Sequence, residues 1–328
     1  MTSTPRGAAS RMYLGIQADF TTPNAVNGDE LHFYDENLRR TNQLATDREL
    51  GGARHNTGDM TDPGPGLPTV AGQLTVPMDF NQMLWWLYLG FGAPVTTDEG
   101  GGNFTHVFKS GAADLPFGTL DLQVRADRIK HVTGLAVNGF TFGTDKADGY
   151  RTFQVNVLAR DISMLAALST VGQTAVPARA KAAGSVGIMR IDGVQAGKHV
   201  GGNFTFGNGF QPVALADNSP LIGQMDPGDR ESGGSPRFRL QSGAGADTIA
   251  DKWQDETTPF RVEAEWQKSA TQSLTLDYKR CFGPKIVDEV SNGAAIEYAG
   301  EFTSHQTAAE AALVVTLKNQ LDITAVTA

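Results

Sequence analysis

Residue types that run catalysis are present in this chain, but their spacing does not suit metal or nucleophile chemistry. The six histidines, His32, His55, His106, His131, His199 and His305, never fall in the HxxxH pattern of a zinc-binding helix. The single cysteine, Cys281, excludes an intramolecular disulfide framework. It sits beside Phe282, no histidine has a sequence relation to it that would activate a thiolate, and it reads as a small core residue. No GxSxG elbow occurs, and no phosphate-binding loop of the GxxxxGK type. The glycine-rich run DEGGGNFTH at 98–106 offers no lysine to a phosphate and opens a strand, so it reads as a turn. Asp145 and Asp148 lack EF-hand spacing and read as a hairpin tip. Asn103 and Asn203 each begin an N-F-T sequon, which matters only in a secreted chain. Carboxylate pairs assembled by the fold for acid and base work remain open. No cofactor and no metal ion is expected.

The remaining polar residues sit on alternating strands. Residues 119–126, TLDLQVRA, put Leu120, Leu122 and Val124 on one face and Asp121, Gln123 and Arg125 on the other. Residues 137–143, VNGFTFG, and 151–160, RTFQVNVLAR, alternate likewise, and Asp148-Gly149 between them signals a hairpin turn. With 27 basic and 36 acidic residues the net charge is −9, whereas a DNA reader carries a basic face that neutralises phosphates.

The elements that position these faces follow from composition and period. A length of 328 residues suggests about two domains, and 38 Gly with 15 Pro imply many turns between short strands. The opening segment MTSTPRGAASRMYLG lacks the apolar stretch of a signal peptide. Residues 70–92, VAGQLTVPMDFNQMLWWLYLGFG, run from an alternating strand into a short apolar segment. That segment is far shorter than the ~20 residues needed to span a bilayer. It reads as a helix capped by Asp79 and stopped by Gly90 or Gly92, with Leu84, Trp85, Trp86 and Leu87 buried in a core or a subunit contact. Residues 41–68 are polar and aperiodic, and read as an interaction loop or a mobile surface loop carrying Arg48, Arg54, Asp59 and Asp62.

Strand, helix and strands then recur. Residues 236–243 answer 71–79, residues 247–253 answer the tryptophan helix, and 273–280, 294–300 and 311–320 answer 119–126, 137–143 and 151–160, at offsets of about 154 to 160. This is either a duplication or a coincidence of two strand-rich segments. The duplication predicts a first β-sandwich at 11–163, an Ala-rich linker at 164–185 and a second sandwich at 186–322.

RELGGARHN, the 70–94 segment, FTHVFKSG, LPFGTLDLQVR and VNGFTFG together resemble the tail tube (major tail) proteins of long-tailed bacteriophages, most closely over 48–161. The resemblance implies a mainly β fold, a sandwich with a flanking short helix whose inner sheets join between subunits into a barrel channel. It implies a non-enzymatic virion protein, assembled in the host cytoplasm, whose partners are further copies of itself, other tail proteins and double-stranded DNA passing through without specific binding. No membrane partner is implied. The ring would hold three chains with pseudo-sixfold symmetry if the chain is duplicated, or six if it is not. Candidates for the channel wall are Asp121, Gln123, Thr141, Gln154 and Asn156 in the first half and Thr275, Asp277, Glu297 and Glu301 in the second, or else these form ordinary solvated strand faces. An acidic wall would let DNA slide without sticking. The other readings are a capsid decoration, a secretion-system tube ring or a β-sandwich glycan hydrolase.

Overall fold

The computed structural model describes residues 10–23, 29–45, 62–168, 174–175, 178–196, 199–217, 219–239, 252–253, 255, 257–284 and 297–327. The chain opens with β1 (Arg11–Gln17), β2 (Asp29–Leu31), β3 (Asp35–Glu36), β4 (Arg39–Ala45) and β5 (Gly64–Pro77), then helix α1 (Met83–Phe91). After it come β6 (Val95–Gly100), β7 (Asn103–Lys109), β8 (Phe117–Arg125), β9 (Arg128–Gly143), β10 (Thr152–Ala159) and β11 (Asp161–Leu165). The second half holds β12 (Thr174–Ala175), β13 (Ile188–Ile191), β14 (Val194–Gln195), β15 (His199–Gly207), β16 (Gln211–Val213), β17 (Gln224–Asp226) and β18 (Glu231–Arg239). It closes with β19 (Phe260–Ser269), β20 (Gln272–Phe282), β21 (Glu297–Ala299), β22 (Phe302–Ser304), β23 (Leu313–Asn319) and a final helical turn, Thr324–Thr327. The fold is mainly β, as expected.

Three layers of strands emerge from the ladders. One runs β2–β1–β8–β9–β11. A second runs β4–β5–β10–β9–β15–β18, and β18 then pairs with β21 and β22. The third runs β14–β13–β19–β20–β23–β7–β6. The long strand β9 belongs to two layers. Its first half pairs with β8 and β11 and its second half with β10 and β15, the change falling where the β10 register shifts after Asn156. A bulge of this kind bends a strand and lets it leave one sheet for another.

The second half repeats these relations. β13–β19–β20 stands as β1–β8–β9 does, and β20–β22–β18 stands as β9–β10–β5 does. The row Thr141–Gln154–Thr75 corresponds to Phe282–Thr303–Gly233. This corrects the strand correspondences expected from sequence: β20 stands where β9 does, and not for 119–126, β21 and β22 stand for β10, and β23 stands for β11. Alternating strands look alike, so a match made on pattern alone slips by one strand. Of residues 247–253 only Lys252 and Trp253 are described, with Trp253 fully buried against Phe238 and Phe260.

Two further expectations change. Within 164–185, the described residues 178–185 are not a free tether. Ala180 and Ala182 are buried, and the chain there is stitched to both flanks: Phe80 N–H donates to Ala180 O (3.1 Å), Ala182 N–H to Met78 O (2.9 Å) and Arg151 N–H to Ala182 O (2.9 Å). The two halves also share one core, with Phe142 of β9 5.9 Å from Trp266 of β19. Residues 41–68 are likewise not all loop, because both ends are strand, with Thr41 opposite Thr69 and Ala45 opposite Gly64. β10 pairs with β5 only from Val70 to Pro77, and beyond it Leu44 and Leu67 of the arm are exposed, so apolar alternation is not imposed there.

α1 ends as the sequence suggests, Gly92 adopting φ 80° while its N–H donates to Tyr88 O (2.8 Å). Its start differs. The N-cap is Gln82, and the Asp79 carboxylate instead accepts from Asn81 N–H (3.1 Å) and Ala180 N–H (3.0 Å), tying the turn before the helix to the stitched segment. Leu84, Trp85, Trp86 and Leu87 are all buried, and Trp85 Nε1–H donates to Asp29 (2.8 Å). Phe91 stacks on Phe206 at 4.3 Å and Phe140 at 5.8 Å. Gly90 is required for that approach, since a Cβ there would lie 2.4 Å from the Phe140 ring. Trp86, 1% exposed, fills this core. Trp86→Ala should lower unfolding stability by ~3–5 kcal/mol in a denaturant titration, and a loss under ~1 kcal/mol would mean the helix is not the core element described.

Candidate functional site

The second layer has one face sealed and one face open. Leu74, Val76, Phe153, Val155, Phe140, Phe142, Phe204, Phe206 and Phe238 point into the core and are buried. Strand geometry sends the intervening residues to the other side. Across that side runs a row in register over six strands, Thr75–Gln154–Thr141–Thr205–Gly233–Thr303. Beside it, Gln73 Nε2 donates to Asn156 Oδ1 (2.9 Å) and Gln154 Oε1 (3.1 Å). Gln154, Asn203, Thr205 and Thr303 are exposed, and Thr75, Thr141 and Asn156 are half-exposed. The middle of this surface carries amides and hydroxyls and no charge.

Charge appears at its margins: the exposed Asp35 stands opposite Thr75 on the first-half side, and the second-half side carries both pairs and single carboxylates. Arg239 Nε donates to Glu297 (2.9 Å), and Arg237 pairs with Asp145. Glu231, Glu301 and His305 line a trough with Gly233, Gly234 and Thr303. The trough exists because β18 and β22 approach closely at Gly233, where a Cβ would lie 2.2 Å from Phe302 O.

The surface is continuous only because β9 and β15 pair. Gly139, Phe140, Thr141, Phe142 and Gly143 face Gly207, Phe206, Thr205, Phe204 and Asn203. A buried amide secures the end of this ladder. Asn208 Nδ2 donates to Val137 O (2.9 Å) and to Gly90 O at the end of α1 (2.8 Å), while Asn208 N–H donates to Asn138 O (2.7 Å). Asn138 Oδ1 in turn accepts from Phe210 N–H (2.9 Å).

The fold distributes the sequence candidates over all three layers. Thr141, Gln154 and Asn156 share the open face, and Glu297 and Glu301 stand on its charged continuation. Thr275 and Asp277 lie on β20 within the third layer, and Asp121 and Gln123 on β8 within the first. Two carboxylates are therefore not part of an open acidic wall. Asp121, 1% exposed, is paired with His131. Asp277 is gripped by Arg261 through two hydrogen bonds of 2.7 Å and also meets Lys279. Alternation in a strand shows which residues share a face; it does not show which sheet they join or what covers that face. Of the loop candidates, Arg48, Arg54 and Asp59 lie outside the described residues, and Asp62 is exposed at the foot of β5. Sequence reasoning missed Gln73, Thr75, Asn203, Thr205 and Asn208. A signal was available: the tetrad Phe-Thr-Phe-Gly occurs at 140–143 and again at 204–207, and the two copies are the strands that pair.

Burial pushes the Cys281 thiol up to about 12, which keeps it protonated and unreactive. Among the described residues no three of His, Cys, Asp and Glu group to hold a metal, and no helix is long and apolar enough to cross a membrane.

Two histidines fasten the periphery instead. His106 of β7 is fully buried; its Nε2 donates to Leu321 O (2.8 Å) and its Nδ1 accepts from Thr96 Oγ1 (2.8 Å), joining the β6–β7 hairpin to the end of β23. His199 lies by Thr144 Oγ1 (3.2 Å). Burial lowers the pKa of both below the ordinary 6.5, so the unfolded chain binds more protons than the folded one as pH falls past that value. Stability from these groups is complete above pH ~6.5 and is lost on acidification below it. Calorimetry from pH 7.5 to 5 should show a falling Tm that flattens in His106→Gln; a Tm constant across that range would contradict the buried neutral assignment.

Comparison with known proteins gives one family match, to a model described as phage tail tube protein over residues 7–311. No curated protein matches the chain.

Proposed function

This chain belongs to the phage tail tube protein family, and from that premise we propose that the open face of the second layer is the wall of the tube's channel. The family is structural and non-enzymatic, its place is the virion tail, and its subunits assemble into stacked rings with other tail proteins. What remains to be assigned is which surface meets the genome, how many chains make a ring and how rings meet. The observation that carries the first assignment is the uncharged row Thr75–Gln154–Thr141–Thr205–Gly233–Thr303, which crosses six strands on the open face of the second layer.

Such a wall suits a conduit for DNA. A duplex carries one negative charge per ~1.7 Å, and cations that neutralise phosphates release counterions and hold the duplex. Amides and hydroxyls exchange hydrogen bonds with water and offer no such release, so the duplex passes without a trap. The middle of the wall is thus uncharged, while Asp35, Glu231 and Glu301 leave its margins acidic. The recurrence of strand relations within the chain supports a ring of three chains, each supplying two sandwich units for six in all.

The β4–β5 arm supplies a reading of ring stacking. It projects past β10 and exposes Leu44 (64%) and Leu67 (52%), apolar area that a neighbouring ring would cover.

Two outcomes follow. Thr141→Lys with Gln154→Lys should leave tubes intact while slowing DNA release from reconstituted phage, most at low salt; unchanged release in intact tubes would sink the wall assignment. Leu44→Asp with Leu67→Asp should give folded rings that sediment as single rings, and tubes of normal length from that variant would remove the arm from stacking.

A further inference from the structure

The β4–β5 arm has a counterpart in the second half. β18 stands where β5 does, and the strand before each pairs with it antiparallel, Asp35 of β3 with Thr75 and Thr205 of β15 with Gly233. Beyond those pairs each ladder runs on into a hairpin, β4 with the first half of β5 in one case and β16 with β17 in the other. The first hairpin projects, whereas the second is turned back at two glycines. Gly209 has φ 60°, a Cβ on it would lie 2.2 Å from Asp229 O, and one on Gly228 would lie 2.3 Å from Gly209 O. A crossing this close excludes side chains and puts the bend in residues with wide φ/ψ freedom.

The turned-back hairpin is lightly held. Among the described residues β16 and β17 pair only with each other. Phe210, Ile222 and Met225 are buried with Phe20, Leu115 and Ala136 in a small cluster separate from the main core. Arg160 Nε donates to Ile222 O (3.1 Å). A cleft of about 740 Å³ remains between β17 and residues 16–20 and 113–117, so part of the hairpin's underside is unpacked.

We propose that β16–β17 is a second arm, stowed against its own subunit and released at Gly209 and Gly228 when the subunit joins the tube. This rests on the stacking reading of the β4–β5 arm and adds a means of regulating it. Hinges are a few residues that absorb a large φ/ψ change, and elements with few buried contacts are the ones that open most readily. A neighbouring subunit that binds the released hairpin and not the stowed one draws the population toward release. Until then Ile222 and Met225 stay covered, and the fraction of subunits able to associate through them is low.

The test follows the hairpin in the full chain before and after assembly. Leu215 near its tip and Asp114 on the body are exposed, and Cys281 is buried with its thiol protonated, so Leu215→Cys with Asp114→Cys takes a spin label at each new site. At ~3.3 Å of rise per residue from Gly209, release should change the distance between labels by about 10 Å or more on passing from the unassembled subunit to tubes diluted with parent chains. An unchanged distance would overturn the proposal. A second variant asks whether assembly needs the release. Arg160→Cys with Ile222→Cys, joined by a short bismaleimide before assembly, should lower tube yield roughly tenfold or more against the same variant left unjoined. Joined subunits that build tubes at the unjoined yield would equally overturn it, and should the unjoined variant fail to assemble, the label distance alone decides. Failure of the stacking reading looks different: Leu44→Asp with Leu67→Asp builds normal tubes, whatever the labels on the hairpin report.

Discussion

The pairing of β9 with β15 is the interaction on which the rest depends. It sets the two Phe-Thr-Phe-Gly tetrads side by side, so that each strand sends its phenylalanines inward and its threonine outward in step with the other. The inward rings build the shared core: Phe140 and Phe206 both stack on Phe91 of α1, and Phe142 and Phe204 both meet Trp266. The outward threonines continue a polar row that neither half could extend alone. Asn208 then ties the ladder to the Gly90 carbonyl of α1 and the Val137 carbonyl of β9, and leaving a buried acceptor without a donor would cost about 1–3 kcal/mol. One ladder thus couples core, helix and wall.

From this joint the division of labour among layers follows. In the first and third layers Asp121 meets His131 and Asp277 meets Arg261, contacts that hold these two carboxylates in place. The middle layer leaves its polar residues open. On the channel-wall reading proposed above, that face would give a sliding polyanion hydration without fixed cations, and alternation supplies it at no expense to the core, because each open Thr, Gln or Asn is backed by a buried aromatic or aliphatic neighbour.

Much of this was legible in the sequence, and the reasons for the rest are physical. The β class, the buried tryptophan helix and its glycine stop were readable because period and capping are local properties. The residues Thr141, Gln154 and Asn156 were readable as one face for the same reason. Asp121 and Asp277 were not, since burial of a strand's polar face is decided by the neighbouring layer. The correspondence of β20 with β9 was obscured because alternating strands resemble one another in type; the ladder partners distinguish them. The docked segment around Ala180 and Ala182 escaped because it uses backbone hydrogen bonds, which leave no mark on residue type. Asn208 escaped because a single amide has no period at all.

The account as a whole is tested most directly by imaging the self-assembled tube down its axis at side-chain resolution. It predicts three chains per ring and a channel surface formed by Gln73, Thr75, Thr141, Gln154, Asn203 and Thr205. A ring of six chains, or a channel lined by the face of the third layer that carries Glu263, Thr275 and Asp277, would contradict it.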